Sequence, residues 1–245
     1  MALSPSERSR YLRQLSLSEI GEAGQRALGE ATVTLVGVGG LGSAAASYLA
    51  AAGIGRLRLV DGDQVELSNL TRQVLYGEPD LGTPKIERAL RRLAALNPGV
   101  ELVGVSEMLD AGNAPALVAD ADVVVDCLDS FAARFLLNEA VVAAGGALVH
   151  GACSGLEGRL ATFRPPETAC LRCLLPSAPP AAPAPVLGAT PGVIGAMQAL
   201  ETIKLIVGAG DTLAGKLLIF DGARWSFDLV EVARDPSCPV CGGSR

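Results

Sequence analysis

A glycine-rich turn between two regular segments constrains the fold most strongly. The β-branched run ATVTLVG leads into it, and the alanine-rich run GLGSAAASYLAAAG follows it as far as Gly53. Its glycines, spaced as G-x-G-x-x-G, are Gly37, Gly39, Gly40 and Gly42, and Asp61 follows 19 residues after the last of them. This strand–turn–helix unit is typical of doubly wound α/β sheets, in which a phosphate approaches the helix N-terminus and the acid binds a ribose hydroxyl. A tight turn without a ligand is the alternative interpretation.

The rest of the chain continues the alternation of strands and helices. Apolar residues at helical spacing predict a helix in PKIERALRRLAALNP, and further helices are predicted near 112–119, 131–144 and 192–208. Buried strands are predicted in RLRLVDGD, ELVGVSE, ADVVVDCLD and ALVHGACS, and antiparallel strands in EGRLATF, KLLIFDG and WSFDLVEVA. The predicted fold is therefore α/β and Rossmann-like, a mostly parallel sheet with antiparallel strands added in the C-terminal half and helices on both faces.

We expect a single domain over residues 1–245, because a chain of this length can bury a large core without a second one. Residues 4–30 are predicted as an N-terminal helical segment, 31–155 as a nucleotide-binding half and 156–245 as a second half. Apolar residues make up 49% of the chain but aromatic residues only 4%, so Ala, Val, Leu and Gly must build the interior. The Pro-rich stretch 176–191 is predicted to be a loop within the domain, since cysteine pairs flank it.

Charge and hydropathy argue against two classes of partner. The net charge of −6 gives no electrostatic footprint for nucleic acid or for an anionic membrane surface. Two uncharged stretches, 31–55 and 173–200, are interrupted by glycines and prolines respectively, and neither is typical of a membrane span. The opening MALSPSERSR lacks the apolar core of a signal peptide. We therefore expect a cytoplasmic protein without nucleic-acid or membrane partners.

The glycine turn lacks the lysine of a phosphate-binding P-loop, because Ser43 stands where that lysine would be. Any triphosphate bound here needs cations from elsewhere, and Arg72 and Lys85 follow predicted strand ends on the ligand-binding side. Solvated surface charge is the alternative for each. Asp129 closes the strand ADVVVDCLD and is well placed to hold Mg²⁺, whereas Asp126 could be structural.

The chain has one histidine, His150, within the predicted strand ALVHGACS. We interpret it as a packed, hydrogen-bonded side chain, so no Ser-His-Asp or Cys-His constellation is available beyond it. Without such a general base, the reaction should use a nucleophile that is already charged at neutral pH. A carboxylate that attacks the α-phosphate of ATP is such a nucleophile, and catalysis would then depend on positioning and charge neutralisation.

Four cysteines form two C-x-x-C pairs, Cys170 with Cys173 and Cys238 with Cys241. Four thiolates in this pairing are typical of a closed, structural Zn²⁺ site, and an iron–sulfur cluster or redox dithiols are the alternatives. Cys127 and Cys153 lie in strand-like segments and are predicted to be buried fillers rather than nucleophiles.

Seven motifs occur together in this order: RYLRQ, GVGGLGS, LVDGDQVELSNLTRQ, GTPK, DCLDS, the paired C-x-x-C and PGVIGAMQALETIKLI. Together they closely resemble the HesA/MoeB/ThiF family, the bacterial relatives of ubiquitin-activating enzymes. The resemblance extends from about residue 10 to 242. It implies an adenylyltransferase that uses ATP, Mg²⁺ and a Zn²⁺ site to activate the Gly-Gly tail of a MoaD- or ThiS-type sulfur-carrier protein, with 156–245 as the carrier-binding half.

The resemblance also implies roles for individual residues. Catalytic roles fall on Arg13, Arg72, Lys85 and Asp129, and Asp129 is the Mg²⁺ ligand. Arg13, in RYLRQ, matches an arginine that reaches the ATP of the partner subunit, which implies a homodimer with composite sites. The nucleotide-binding positions are Gly37, Gly39, Gly40, Gly42, Asp61, Asp63, Asn69, Arg72, Gln73, Lys85, Asp129 and Ser130.

This chain departs from the family pattern in three places. Ser130 stands where many members have Asn, and loop 176–191 has no cysteine where many relatives carry one, roughly at Ala181. The missing cysteine favours adenylation without a covalent carrier intermediate. The sequence stops soon after Cys241, before the rhodanese domain of some relatives, so we expect a separate sulfur donor.

Three alternatives stay open at this point. A nicotinamide-dependent oxidoreductase would explain the glycine fingerprint and Asp61, but it leaves Lys85 and the cysteine pairs without a role. A family member that adenylates a small carboxylate or a tRNA base is the second, and a non-catalytic carrier-binding protein is the third. The motifs do not choose between molybdopterin, thiamin or another pathway.

Overall fold

The computed structural model describes residues 3–178 and 185–243 of the chain. Within these residues it contains eight strands and nine α-helices. The strands are β1 (Thr32–Val36), β2 (Arg56–Val60), β3 (Glu101–Val105), β4 (Val123–Asp126), β5 (Ala147–Ser154), β6 (Glu157–Phe163), β7 (Lys216–Asp221) and β8 (Ser226–Glu231). The helices are α1 (Pro5–Arg10), α2 (Leu12–Leu15), α3 (Gly21–Glu30), α4 (Gly40–Ala52), α5 (Lys85–Leu96), α6 (Ala114–Val118), α7 (Phe131–Ala144), α8 (Leu171–Leu174) and α9 (Ala189–Val207).

The strands form one sheet in the order β3-β2-β1-β4-β5-β6-β7-β8. The first five in this order are parallel, and β5, β6, β7 and β8 pair antiparallel. This confirms the predicted sheet, including the antiparallel additions in the C-terminal half. The reversal of strand order between β1 and β4 creates a crevice at their carboxyl ends, where doubly wound sheets bind ligands.

Helices cover both faces of the sheet, as predicted. On one face, α3, α4, α5 and α9 share a buried apolar cluster with β1 and β2. On the other face, α6 and α7 share a cluster with β4, β5 and β6. Neighbouring residues of β1 enter different clusters, Leu35 the first and Val36 the second, because side chains alternate along a strand. Burial on both faces explains why β4 begins with three consecutive valines, all of them buried.

The N-terminal helices pack near the amino edge of the sheet, away from the crevice. Helices α4 and α5 run away from the carboxyl edge, and the N-terminal segment contacts their far ends. The Asn97 amide donates hydrogen bonds to the Tyr11 hydroxyl at 2.9 Å and to the Ala50 carbonyl at 2.7 Å. The Gln14 amide donates to the Ala52 carbonyl at 3.1 Å.

Two local features differ from the prediction. Helix α9 begins at Ala189 rather than 192, because Pro191 falls in its first turn, where the missing N–H costs nothing. It therefore shortens the predicted loop 176–191, of which residues 179–184 lie outside the described part. Helix α8, which begins directly after Cys170 and contains Cys173, has no counterpart in the prediction. None of the described helices combines the length and apolar character needed to span a membrane.

Candidate active site

A cavity of about 1320 Å³ opens at the carboxyl ends of the central strands. Ten of the twelve predicted nucleotide-binding residues line it, and Gly42 and Asn69 do not. The ten are Gly37, Gly39, Gly40, Asp61, Asp63, Arg72, Gln73, Lys85, Asp129 and Ser130.

Two glycines of the turn, Gly37 and Gly42, are packed too tightly for side chains. Gly37 has a φ of +91°, and a Cβ there would lie 2.7 Å from the carbonyl oxygen of Cys127. A Cβ on Gly42 would overlap the carbonyl oxygen of Gly37, so this glycine permits close packing of helix on turn rather than lining the cavity. Helix α4 begins at Gly40, and the free N–H groups of its first turn therefore lie at the cavity.

Asp61, which follows β2, is held by the backbone on both sides. Its Oδ2 accepts a hydrogen bond from the Val38 N–H at 2.7 Å, and its Oδ1 accepts one from the Asp63 N–H at 2.9 Å. Lys85 Nζ lies 2.7 Å from Asp63 Oδ2 and 3.9 Å from Asp61 Oδ1. Burial raises the pKa of Asp61 above its ordinary value, and the positive charge of Lys85 opposes that rise. The acids thus hold a buried ammonium group at the cavity wall.

The segment after Asp63 supplies Arg72 and Gln73 to the cavity. Arg72 donates to the Ser68 carbonyl at 3.0 Å and is otherwise available at the wall. Gln73 is buried, and its Oε1 has no hydrogen-bond partner among the described residues. Asn69 instead shapes this segment, because its Oδ1 accepts the Glu66 N–H at 3.3 Å. Asn69, for which the sequence predicts a direct nucleotide contact, therefore does not line the cavity.

The turn after β4 brings in Asp129 and Ser130. Asp129 is exposed at the cavity, and it makes no hydrogen bond or ion pair with the residues that the structure describes. Ser130 caps helix α7, since its Oγ accepts the Ala133 N–H at 3.3 Å. Arg13, the remaining predicted site residue, is exposed on α2 and does not line the cavity of its own chain.

Sequence reasoning missed several residues that support the cavity. The Tyr76 hydroxyl donates to the Val38 carbonyl at 2.9 Å and thereby fixes the glycine turn. Met108 and Arg159 line the wall, and they come from the end of β3 and from β6. Arg134 also lines the cavity. It follows Ser130 by one helical turn in DCLDSFAAR, and this spacing could have predicted that both residues face the cavity.

The residues present fit a nucleoside triphosphate with a divalent cation. Gly37, Gly39 and Gly40 bring backbone without side chains to the cavity wall, and Gln73 has a buried amide oxygen without a partner among the described residues, which a ligand donor would satisfy. The basic groups Arg72 and Lys85 at the wall suit phosphate oxygens, and the exposed Asp129 carboxylate suits Mg²⁺.

The four paired cysteines come together outside the lining of this cavity. Their sulfur atoms all lie within 4.8 Å of one another, with 3.7 Å between Cys170 and Cys238 and 3.4 Å between Cys173 and Cys241. Sulfurs at the corners of a tetrahedral zinc site are separated by about 3.8 Å, given Zn–S bonds of about 2.3 Å. The cluster is thus compatible with Zn²⁺, and it ties the segment around residue 240 to α8.

The other two cysteines are outside this cluster. Cys127 is buried, as predicted, and burial raises its pKa well above the ordinary value. Cys153 is only half-buried and lines the cavity, and burial raises its pKa to about 12. Both are therefore neutral thiols and poor nucleophiles at neutral pH.

Comparison with known proteins identifies the family. Residues 11–240 match the ThiF family. The chain is 43% identical to the SAMP-activating enzyme E1 of Haloferax volcanii, over 99% of this chain and 92% of that protein. It is 42% identical to the sulfur carrier protein adenylyltransferase of Thermus thermophilus, over 99% and 93%. The crystal structure of E. coli MccB with ATP superimposes with a TM-score of 0.87 and 27% identity, over 98% of this chain and 75% of that one. The strand–glycine–helix unit, the cavity and these matches agree, and the chain belongs to the ThiF family.

Proposed function

We propose that this protein uses ATP to adenylate the C-terminal glycine carboxylate of a ubiquitin-like sulfur-carrier protein. The products are the carrier acyl-adenylate and pyrophosphate. The observation that carries the proposal is the convergence of the glycine turn, Arg72, Lys85 and Asp129 on one cavity. Two relatives described above have names that specify activation or adenylation of such carriers, which favours this function over the oxidoreductase alternative.

The chemistry needs charge neutralisation more than proton transfer. A carrier carboxylate is ionised at neutral pH, so it attacks the α-phosphorus without a general base, and pyrophosphate leaves. Lys85 and Arg72 neutralise phosphate oxygens, and the α4 N-terminus adds backbone N–H groups. Asp129, with Ser130 beside it, would hold Mg²⁺, which supplies further neutralisation of the leaving group. Asp61 and Gln73 would orient the nucleoside.

Activation is proposed to end at the acyl-adenylate. A thioester or acyl-disulfide step needs a reactive thiolate at the cavity, and burial leaves Cys153 and Cys127 protonated at neutral pH. The position of the cysteine carried by many relatives, roughly Ala181, lies outside the described residues. A separate protein is therefore proposed as the sulfur donor.

A homodimer with composite sites is proposed from the position of Arg13. Its helix α2 packs near the amino edge of the sheet, whereas the cavity opens at the carboxyl edge of the same chain. The family resemblance of RYLRQ implies that this arginine acts on the ATP of a second copy, and its absence from the wall of its own cavity supports that role.

Residues 156–245 are proposed as the carrier-binding half of one domain. Phe227 and Leu229 share a face of β8 and are each 54% exposed, and Trp225 before them is 80% exposed. Exposed apolar groups in contact with one another mark protein-interaction surfaces. Structural Zn²⁺ at the cysteine cluster is proposed to stabilise this half.

The activity is proposed for the cytoplasm, in the synthesis of molybdopterin, thiamin or a related thio-metabolite.

ATP–pyrophosphate exchange with a purified Gly-Gly-tailed carrier tests the function. We expect Mg²⁺-dependent exchange and a carrier mass increased by one AMP. The matched controls are the same carrier without its last glycine and the Asp129→Asn enzyme, both of which should be silent. Tight NAD binding without exchange on any Gly-Gly carrier would contradict the proposal, and exchange driven by a small carboxylate or tRNA instead would identify the family alternative.

Mixing two inactive variants tests the composite site. Arg13→Ala and Asp129→Ala protomers each break one half of the site, but in a mixed dimer one site keeps both residues. Random exchange makes half of the dimers mixed, so about a quarter of wild-type activity should return. No recovery, with subunit exchange verified by mass, would contradict the role of Arg13 in trans.

A further inference from the structure

The buried pair Asp126–His150 has no part in the chemistry proposed above, although His150 borders the cavity. Asp126 is 0% and His150 is 3% exposed, and they lie opposite one another where β4 and β5 pair. His150 Nδ1 lies 2.6 Å from Asp126 Oδ2. In this pairing Nδ1–H donates when the carboxylate is the acceptor.

The same carboxylate holds the turn that carries Asp129. The other oxygen of Asp126, Oδ1, accepts the Leu128 N–H at 3.0 Å. Arg134 from α7 donates through Nε to the Leu128 carbonyl at 3.1 Å, and Gln198 from α9 donates to the Asp126 carbonyl at 2.7 Å. Arg134 and Gln198 thus hold the backbone at Leu128 and Asp126 directly, and His150 acts on it through the Asp126 carboxylate.

Asp129 itself has no anchor among the described side chains and is exposed at the cavity. Its position therefore depends on the turn before it. Among the described residues, His150 is the only one whose side chain forms a hydrogen bond with Asp126 Oδ2. Without His150 the buried carboxylate loses that hydrogen bond. A carboxylate freed in this way can rotate away from the Leu128 N–H and release the turn.

We propose that His150 is a positioning residue, which holds Asp126 so that the 126–129 turn presents the Asp129 carboxylate to Mg²⁺. The inference rests on the proposed metal role of Asp129. It assigns a task to the one histidine of the chain, for which the sequence predicts only a packed, hydrogen-bonded side chain. His150 acts through Asp126 and Leu128, by the arrangement in which outer groups orient a metal ligand.

The test compares His150→Ala with His150→Asn, whose side-chain N–H can replace Nδ1–H. Leu148→Ala is the matched control, since Leu148 is equally buried on the same strand but pairs with Val124 and not with the turn. Hydrogen exchange of the Leu128 amide, in protein without nucleotide or metal, reports the turn directly. The Mg²⁺ concentration for half-maximal pyrophosphate exchange reports the metal ligand.

We expect His150→Ala to reduce Leu128 protection about tenfold and to raise the Mg²⁺ requirement about 10- to 100-fold. His150→Asn should restore both to within about threefold, and Leu148→Ala should lower only the Tm. If the alanine variant does not fold, His150→Gln, which places its donor elsewhere, takes its place against His150→Asn.

Unchanged Leu128 protection in the variant without the donor would overturn the inference. Equal losses in the asparagine variant would also overturn it, because a direct ligand contact from Nε2, or packing alone, would not be rescued. Wild-type protein without any exchange activity would contradict the proposed function instead, while the Leu128 measurement would still decide the role of His150 in the turn.

Discussion

Replacing Gly37 by alanine is expected to lower both the stability of the protein and its pyrophosphate exchange activity. The same change at Gly145 is expected to lower only the stability. Both glycines have positive φ, +91° and +69°. A Cβ at Gly145, just after α7, meets nothing within 4 Å, but at Gly37 it lies 2.7 Å from the Cys127 carbonyl oxygen. Gly145→Ala therefore controls for backbone strain alone.

The difference between the two variants follows from these contacts. A left-handed backbone costs an alanine about 1–2 kcal/mol at either site. Gly37→Ala must also push the turn after β4 away by a few tenths of an ångström, and such overpacking costs about 1–3 kcal/mol more. For a protein of this size each kcal/mol lowers the Tm by about 2–4 °C, so the two Tm values should differ by about 2–12 °C.

The displaced turn leads to Asp129, so activity should report it as well. Misplacement of a catalytic group typically costs about 100-fold in rate, and we expect that loss in pyrophosphate exchange for folded Gly37→Ala but wild-type activity for Gly145→Ala. Thermal unfolding and exchange assays on the same preparations give both numbers. Equal Tm values and equal activities for the two variants would refute the steric argument.

Asp129→Asn should lower exchange at least about 100-fold with an unchanged Tm, since the side chain is exposed; a large loss of stability would contradict this placement. Cys238→Ser should reduce bound zinc and expose the C-terminal segment to protease, whereas wild-type zinc content would exclude Cys238 as a ligand. Cys153 should resist iodoacetamide at neutral pH, because a pKa of about 12 against the ordinary 9.0 reduces its thiolate about a thousandfold; rapid alkylation seen by mass spectrometry would argue against its burial. Lys85→Met removes the positive charge that opposes the raised pKa of Asp61, so this pKa should rise further. Because ATP binding is proposed to need ionised Asp61, the variant should lose ATP affinity at a higher pH than the wild type when the pH is lowered from about 8 to about 5. An unshifted midpoint in calorimetric titrations would show that Asp61 is not coupled to Lys85.

Much of the fold could be predicted because its signals are local. β-branched runs, helical spacing and the glycine turn depend on neighbours in the chain, and the predicted strands all appear in the sheet. The site residues that follow strand ends, such as Asp61, Lys85 and Asp129, could be predicted to meet because parallel strands bring their carboxyl ends to one edge.

The sequence by itself therefore determined the type and order of the elements, the glycine turn and the two cysteine pairs. Only the tertiary structure decided which side chains share a wall and which sit behind it. Asn69 shapes a loop, Arg13 does not line its own cavity, and His150 meets Asp126, 24 residues away, on the neighbouring strand. Local spacing contains no information on these pairings, because they depend on strand register and on the direction from which α7 and α9 pack against the sheet.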